Sequence, residues 1–282
     1  MRTITNVREM QKIALQLKRE GKTIGFVPTM GYLHDGHLSL LKAARKENDV
    51  TVLSIFVNPL QFGPKEDLAT YPKDFERDSQ LAENEGNDFI FYPSADEMYP
   101  DSLSVTAKIH DRTDVLCGKC RPGHFDGVAT VLIKLFNIVQ PDKVYFGMKD
   151  AQQVAVVDGL VKDFNIPVEI VPVTTVREQD GLAKSSRNIN LLPAERLQAP
   201  SLHQSLKIAE SMVSGGETNP QIVIAKMMDH IKKNTSGVID YIEILSYPEL
   251  KQPNLLEGNI IIALAVQFSK ARLIDNMIIK LK

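Results

Sequence analysis

The chain has 282 residues, 43% apolar and 24% charged, with 16 Gly and 15 Pro; this is the composition of a folded chain, not a disordered or collagen-like one, and its length allows about two domains at roughly 150 residues each. A net charge of −2 with no basic run argues against a nucleic-acid partner, whose affinity rests on phosphate neutralisation. Residues 260–266, the longest wholly apolar stretch, are too few to cross a bilayer; the charged N-terminus is no secretory signal and two Cys imply no disulfide framework, so a soluble, cytoplasmic chain with no membrane partner is expected.

Val7, Met10, Ile13 and Leu17 recur at helical spacing behind Asn6, a good N-cap, with Gly21 as a stop. Residues 23–28 read as a short buried strand, 36–48 as a helix through Leu38, Leu41 and Ala44, and 50–57 as a β-branched strand. Pro72 opens a polar helix to Gly86, and a strand follows over 88–92. The less regular stretch 93–123 is expected to hold a strand around 103–109. Val128, Leu132, Leu135 and Val139 mark a helix, 143–147 a strand, 150–165 a helix and 167–173 another strand. This alternation predicts an α/β chain with a Rossmann-like, doubly wound parallel-sheet domain over 1–176, ligands binding at the carboxyl ends of its strands. A long helix over 193–213, a second over 220–234, and strands over 238–245, 259–268 and 271–279 predict a smaller C-terminal α+β domain over 177–282, expected to act as a lid.

After the first buried strand the chain reads Pro28-Thr29-Met30-Gly31-Tyr32-Leu33-His34-Asp35-Gly36-His37. At such a strand-to-helix turn, backbone N–H groups and the helix dipole favour an anion. A Walker A loop would need Lys and Ser/Thr after its second Gly, but Gly36 is followed by His37 and Leu38, and Gly31 and Gly36 do not form G-x-G-x-x-G. What remains is His-x-Gly-His, two imidazoles at a helix start that can donate to phosphate oxygens. A surface pair or a zinc pair fits the same letters, although no Glu follows His34 as in metalloproteases.

Gln61, after the strongest strand, offers a donor and an acceptor suited to a small hydroxylated acid, or is an ordinary loop residue. In Gly147-Met148-Lys149-Asp150, Lys149 suits charge on a transferring phosphate, while Asp150 suits a ribose or merely a helix cap. Gln153 lies one helical turn on. Lys184-Ser185-Ser186-Arg187-Asn188, entered through Asp180-Gly181, is a phosphate clamp of hydroxyls and cations or a solvated linker. Cys117-Gly118-Lys119-Cys120 is half a zinc site with no second C-x-x-C to complete it, and it does not stand after the first strand as a thioredoxin-like motif would; reduced loop thiols are expected. Arg121 and His124, just before a helix, are within reach of the same cleft.

In order along residues 24–190, PTMGYLHDGH, FVNPLQFGP, Tyr71-Pro72, RPGHFDGV, FGMKDAQQ and KSSRN together resemble the pantoate–β-alanine ligase family. HDGH is similar to the HIGH-type signature of adenylyl-transfer enzymes, and KSSRN to their KMSKS-type loop. The resemblance implies ATP-driven condensation of pantoate with β-alanine to pantothenate, releasing AMP and pyrophosphate by way of pantoyl adenylate. It implies ATP binding by Met30, Gly31, Tyr32, Leu33, His34, Asp35, Gly36, His37, Gly147, Met148, Lys149, Asp150, Val176, Lys184, Ser185, Ser186 and Arg187. His37, with His34 and Lys149, would be catalytic, and Gln61 and Gln153 would hold pantoate, Gln61 also lying beside β-alanine. It further implies Mg²⁺, on ligands the sequence does not identify, and a cytoplasmic homodimer.

Two positions depart from the family pattern. Lys184 precedes Ser185 where Met or Leu is frequent, and Asn190-Leu191-Leu192 replaces a Tyr-Leu-Ser. A nucleotidylyltransferase would share His-x-Gly-His yet keep the nucleotide on its product, and a nucleotide sensor would release no pyrophosphate. A tRNA-binding surface finds little room in 282 residues at net charge −2.

Overall fold

Strands β1 (Arg2–Ile4), β2 (Ile24–Thr29), β3 (Val50–Ile55), β4 (Phe89–Phe91), β5 (Lys143–Gly147) and β6 (Glu169–Val173) form one sheet in the order β1-β4-β3-β2-β5-β6. Every pairing in it is parallel. Parallel strands are covered on both faces, which is why β3 reads Val-Thr-Val-Leu-Ser-Ile and is buried at all six positions. The computed structural model describes residues 1–63 and 68–281. Pro64, the last residue of FVNPLQFGP, lies outside the described residues.

The chain divides into two compact units. The first takes Met1–His110, Arg121–Met148 and Val156–Thr174; the second takes Asp111–Cys120, Lys149–Ala155 and Thr175–Lys282. Helices α1 (Val7–Arg19), α2 (Asp35–Glu47), α3 (Phe75–Asn84) and α4 (Ala95–Met98) follow in turn, then α5 (Leu116–Cys120), α6 (His124–Val139) and α7 (Ala151–Asp163). Asn6 caps α1 by accepting from the Glu9 N–H at 3.0 Å, and α1 packs on α6. Helix α2 packs on β2, β3 and β5, placing Leu41 and Ala44 against Val27, Leu53 and Tyr145 in the core.

The order of the sheet fixes where a ligand can sit. β3 and β4 lie to one side of β2, while β5 and β6 lie to the other. The loops leaving β2 and β5 therefore start where the strand order reverses, the crevice that open α/β sheets use for ligands.

One expectation needs correction in this unit. The stretch 103–109 forms no strand; its Ala107 and Ile109 N–H groups donate to Thr130 Oγ1 (3.1 Å) and Asp126 Oδ1 (2.8 Å) on α6 instead of to a neighbouring strand. The sheet gains β1 in its place, three residues aligned with Phe89–Phe91.

In the second unit, α8 (Pro193–Gln198), α9 (Pro200–Ser214) and α10 (Pro220–Asn234) precede an antiparallel sheet of β7 (Val238–Ser246), β8 (Asn259–Gln267) and β9 (Arg272–Lys280). Central β8 is buried from Ile260 to Val266, and its Ile262 and Leu264 join Leu202, Leu206, Val223 and Met227 in one core. The single helix expected over 193–213 is two, because Pro200 has no N–H to donate to the carbonyl four residues back and its ring crowds that carbonyl. Among the described residues no helix is long and apolar enough to cross a membrane.

Candidate active site

The turn after β2 is held from inside the protein. Gly31 adopts φ +86° and Tyr32 φ +53°, and a Cβ on Gly31 would lie 2.9 Å from Ile55 and 3.1 Å from Asp78, so a side chain there meets both strain and a clash. Asp78 on α3, only 1% exposed, accepts from the Tyr32 and Leu33 N–H groups at 2.7 Å each. Arg77 donates to the Leu33 carbonyl at 2.8 Å. Burial raises the Asp78 carboxyl above its ordinary range, against the pull of its two backbone donors and Arg77. Asp78 escaped the sequence reading, although an Asp on the buried stripe it shares with Ala82 was a signal.

His34 ends this turn and caps α2. Its Nδ1 accepts from the Gly36 N–H at 3.1 Å, and His37 Nδ1 accepts from the His34 N–H at 3.3 Å. The rings lie 4.1 Å apart, tilted by 34°. With both Nδ1 atoms accepting, a neutral imidazole must carry its proton on Nε2. The helix cap thereby makes a donor of each Nε2–H.

Gln61 is gripped at both ends. Its carbonyl accepts from His124 Nδ1 at 2.9 Å and from Arg121 at 3.4 Å. Because a guanidinium only donates, the 3.1 Å contact of Arg121 Nη1 with His124 Nε2 makes Nε2 the acceptor and Nδ1 the protonated nitrogen. The Gln61 amide accepts from Asn58 Nδ2 at 3.2 Å and donates to the Met30 sulfur at 3.2 Å. Asn58, 1% exposed, also donates to the Gly127 carbonyl and accepts from Tyr99, a phenol that burial holds above its ordinary range. A thioether is a weak acceptor, so a carboxylate or hydroxyl can take over the Gln61 donor. Met30 and Gly31 also line a cleft of about 590 Å³ with Ile55, Phe56 and Tyr92.

Beyond β5, Met148 closes a run of the first unit, and Lys149 and Asp150 open one of the second. Lys149 is tied by its carbonyl, which accepts from Asn276 Nδ2 at 2.8 Å, and its ammonium lies 3.8 Å from Asp150. Lys149 and Ser185 line one small cavity with Asn188 and Asp275. Val176 and Lys184 are paired through backbone at 2.9 Å, in a turn closed by Arg177, which forks onto Asp275 at 2.6 and 2.9 Å. The Lys184 ammonium meets Glu178 at 3.0 Å, so part of its charge is answered locally. Ser185 accepts from the Arg187 N–H at 3.3 Å and caps the short turn Ser186–Asn190. On α7, Gln152 is buried and hydrogen-bonded to the 112–118 segment, whereas Gln153 is half-buried. Among the described residues no group of three or more His, Cys, Asp or Glu is placed to hold a metal ion.

A parallel sheet whose strand order reverses at β2, with His-Asp-Gly-His capping the next helix, is the framework of an α/β enzyme with its candidate site at the head of α2. The family model described as pantoate-beta-alanine ligase matches residues 2–278, and the chain belongs to that family. It is 59% identical over 278 residues to the pantothenate synthetase of Geobacillus thermodenitrificans (strain NG80-2), covering 99% of this chain and 96% of that one. The crystal structure of pantothenate synthetase from Thermus thermophilus is similar at TM-score 0.92 and 43% identity, over 98% of this chain and 99% of the other. A pantoate-beta-alanine ligase from Francisella tularensis, complexed with beta-gamma ATP and beta-alanine, is similar at TM-score 0.81 and 36% identity, over 98% and 97%.

Proposed function

We propose that this chain joins pantoate to β-alanine, driven by ATP, with pantoyl adenylate as the intermediate and pantothenate, AMP and pyrophosphate as products. The observation that carries this reading is the His34–His37 pair, whose cap geometry puts the proton of each neutral ring on Nε2, a donor suited to a phosphate, at the head of α2. Family membership and the Francisella ligase complexed with beta-gamma ATP and beta-alanine support ATP and β-alanine as substrates.

A carboxylate is a poor electrophile, so amide formation needs a leaving group first. A pantoate carboxylate oxygen attacks the α-phosphorus of ATP, and the bond to pyrophosphate breaks. His37 as the catalytic donor, with His34 and Lys149, meets the negative charge that develops, each such donor being worth about 2.7–4 kcal/mol of barrier. The neutral β-alanine amine then attacks the acyl carbon, the bond to AMP breaks, and the amine loses its proton. The turn from Met30 to His37, Gly147 to Asp150, Val176 and the Lys184–Arg187 segment bind ATP; Gln61 and Gln153 hold pantoate, with Gln61 beside β-alanine.

Mg²⁺ accompanies the nucleotide in this reading. It is commonly held by one or two carboxylates together with substrate phosphates and water, and Asp150, with its side chain 54% exposed, is a carboxylate of that kind. The enzyme acts as a cytoplasmic homodimer, in keeping with ATP as substrate and two unpaired cysteines.

The test is pyrophosphate exchange. With ATP, Mg²⁺ and pantoate but no β-alanine, labelled pyrophosphate is expected to enter ATP, because the first step is complete and reversible without the amine. ADP as the stoichiometric product, with no exchange, would overturn the adenylate mechanism.

A further inference from the structure

We propose that Cys117 and Cys120 are a reactive thiol pair that a low-molecular-weight disulfide oxidises to an intramolecular disulfide, and that this oxidation weakens use of the acid substrate by way of Gln152. The two residues stand three apart on α5. Helical geometry puts such Cα atoms about 5 Å apart, inside the roughly 4.4–6.8 Å range of disulfides. Both thiols are unpaired, Cys117 half-buried and Cys120 exposed.

Their surroundings are opposite in charge. Arg272 Nη1 lies 3.4 Å from Cys117 Sγ and the Tyr241 hydroxyl 3.3 Å from it. Cys120 instead donates to Asp240 Oδ1 at 3.4 Å, a carboxylate that Arg272 Nε holds at 2.8 Å. Burial first, and then the Asp240 charge, raise the Cys120 thiol. The Cys117 thiolate attacks one sulfur of the disulfide reagent and expels the other half as a thiolate. Cys120 then gives its proton to solvent, attacks Cys117 Sγ and expels the second half. One disulfide of the reagent is reduced to two thiols as one protein disulfide forms.

The turn that bears the pair is wired to α7. The Gly118 N–H donates to Gln152 Oε1 at 3.3 Å, and Gln152 Nε2 donates to the Arg112 and Val115 carbonyls at 2.9 and 2.8 Å. A Cβ on Gly118 would sit 2.3 Å from the Thr113 carbonyl oxygen, so the turn has no slack. Drawing Cys117 toward Cys120 takes it from Arg272 and moves Gln152, the neighbour of Gln153.

The experiment treats the reduced full-length protein with oxidised glutathione and follows it by intact mass and by AMP release. Expected are loss of two hydrogens without a lasting adduct, a trapped glutathione adduct on Cys117 in the Cys120→Ser variant, and slower adduct formation in Cys117→Ser. The KM for pantoate should rise about fivefold or more, a usual scale of coupling between sites, with kcat changed less. The Cys117→Ser/Cys120→Ser variant should keep the basal activity and lose the response. A persistent adduct on the wild-type chain, or faster labelling in Cys117→Ser than in Cys120→Ser, overturns the thiol pair. A disulfide that leaves the KM for pantoate unchanged overturns the link through Gln152. The kinetic arm rests on the proposed reaction, whereas the mass arm is independent of it.

Discussion

At the scale of single residues, a hydrogen bond made for a structural purpose sets the chemistry of the group that makes it. His34 and His37 accept backbone protons at Nδ1, so the cap of α2 puts the proton of each neutral ring on Nε2. His37→Ala and Lys149→Ala are each expected to lower turnover by about 10²–10³-fold while the thermal transition stays near that of the parent, since the role proposed for both is to meet developing charge. Steady-state AMP release with a melting curve for each variant checks this, and parental turnover would remove that residue from the reaction. Asp78 acts one step further back. Asp78→Asn replaces one of two acceptor oxygens with a donor facing an N–H, and an unmet buried donor costs about 1–3 kcal/mol. A raised KM for ATP, larger than any change in the KM for pantoate, is the expected outcome in initial-rate kinetics.

At the scale of elements, Gln61 is set by three of them: the turn after β3, the start of α6 and the Met30 segment after β2. Gln61→Ala should weaken pantoate binding far more than ATP binding in titration calorimetry, since its amide is the part a hydroxylated acid can use. His124→Ala should raise the KM for pantoate with ATP little affected, and His124→Asn should recover part of the loss, because an amide N–H can replace Nδ1–H toward the Gln61 carbonyl. Equal effects of the two substitutions would show that the ring matters only by its bulk. Much of this was legible in the sequence. Helical spacing reads α1 and α2, and apolar, β-branched runs read β3 and the three C-terminal strands. Strand β1 is too short for any period, and the stretch around 103–109 has strand-like residues whose N–H groups found side-chain acceptors on α6. The adjacent Gln152 and Gln153 have the same chemistry on paper, and only the structure shows that the first is buried and the second half-buried. The contacts of Asp78 with Tyr32, and of Gln61 with Met30 and His124, join residues 31 to 63 positions apart, a pairing that composition and spacing do not encode.

For the molecule as a whole, what matters is that the second unit is assembled from three stretches of chain, Asp111–Cys120, Lys149–Ala155 and Thr175–Lys282. A fragment of residues 175–282 expressed alone is expected to melt at a lower temperature and less cooperatively than the full chain, followed by circular dichroism. It lacks α5, so Glu243, whose carboxyl is raised by burial, loses the Leu116 N–H as its donor. A transition as sharp and as high as in the intact protein would mean that the two early stretches are passengers.

This interleaving also sets a timetable during synthesis. Leu116 leaves the ribosome 127 residues ahead of Glu243, an interval of roughly 6–25 s at about 5–20 residues per second. Arg272, the cation beside Cys117, is added later still. Through that interval Cys117 stands on an unfinished chain without its Arg272 neighbour. The Arg272 contact arrives with the last strand, so the surroundings of the proposed thiol pair are complete only in the finished, folded chain.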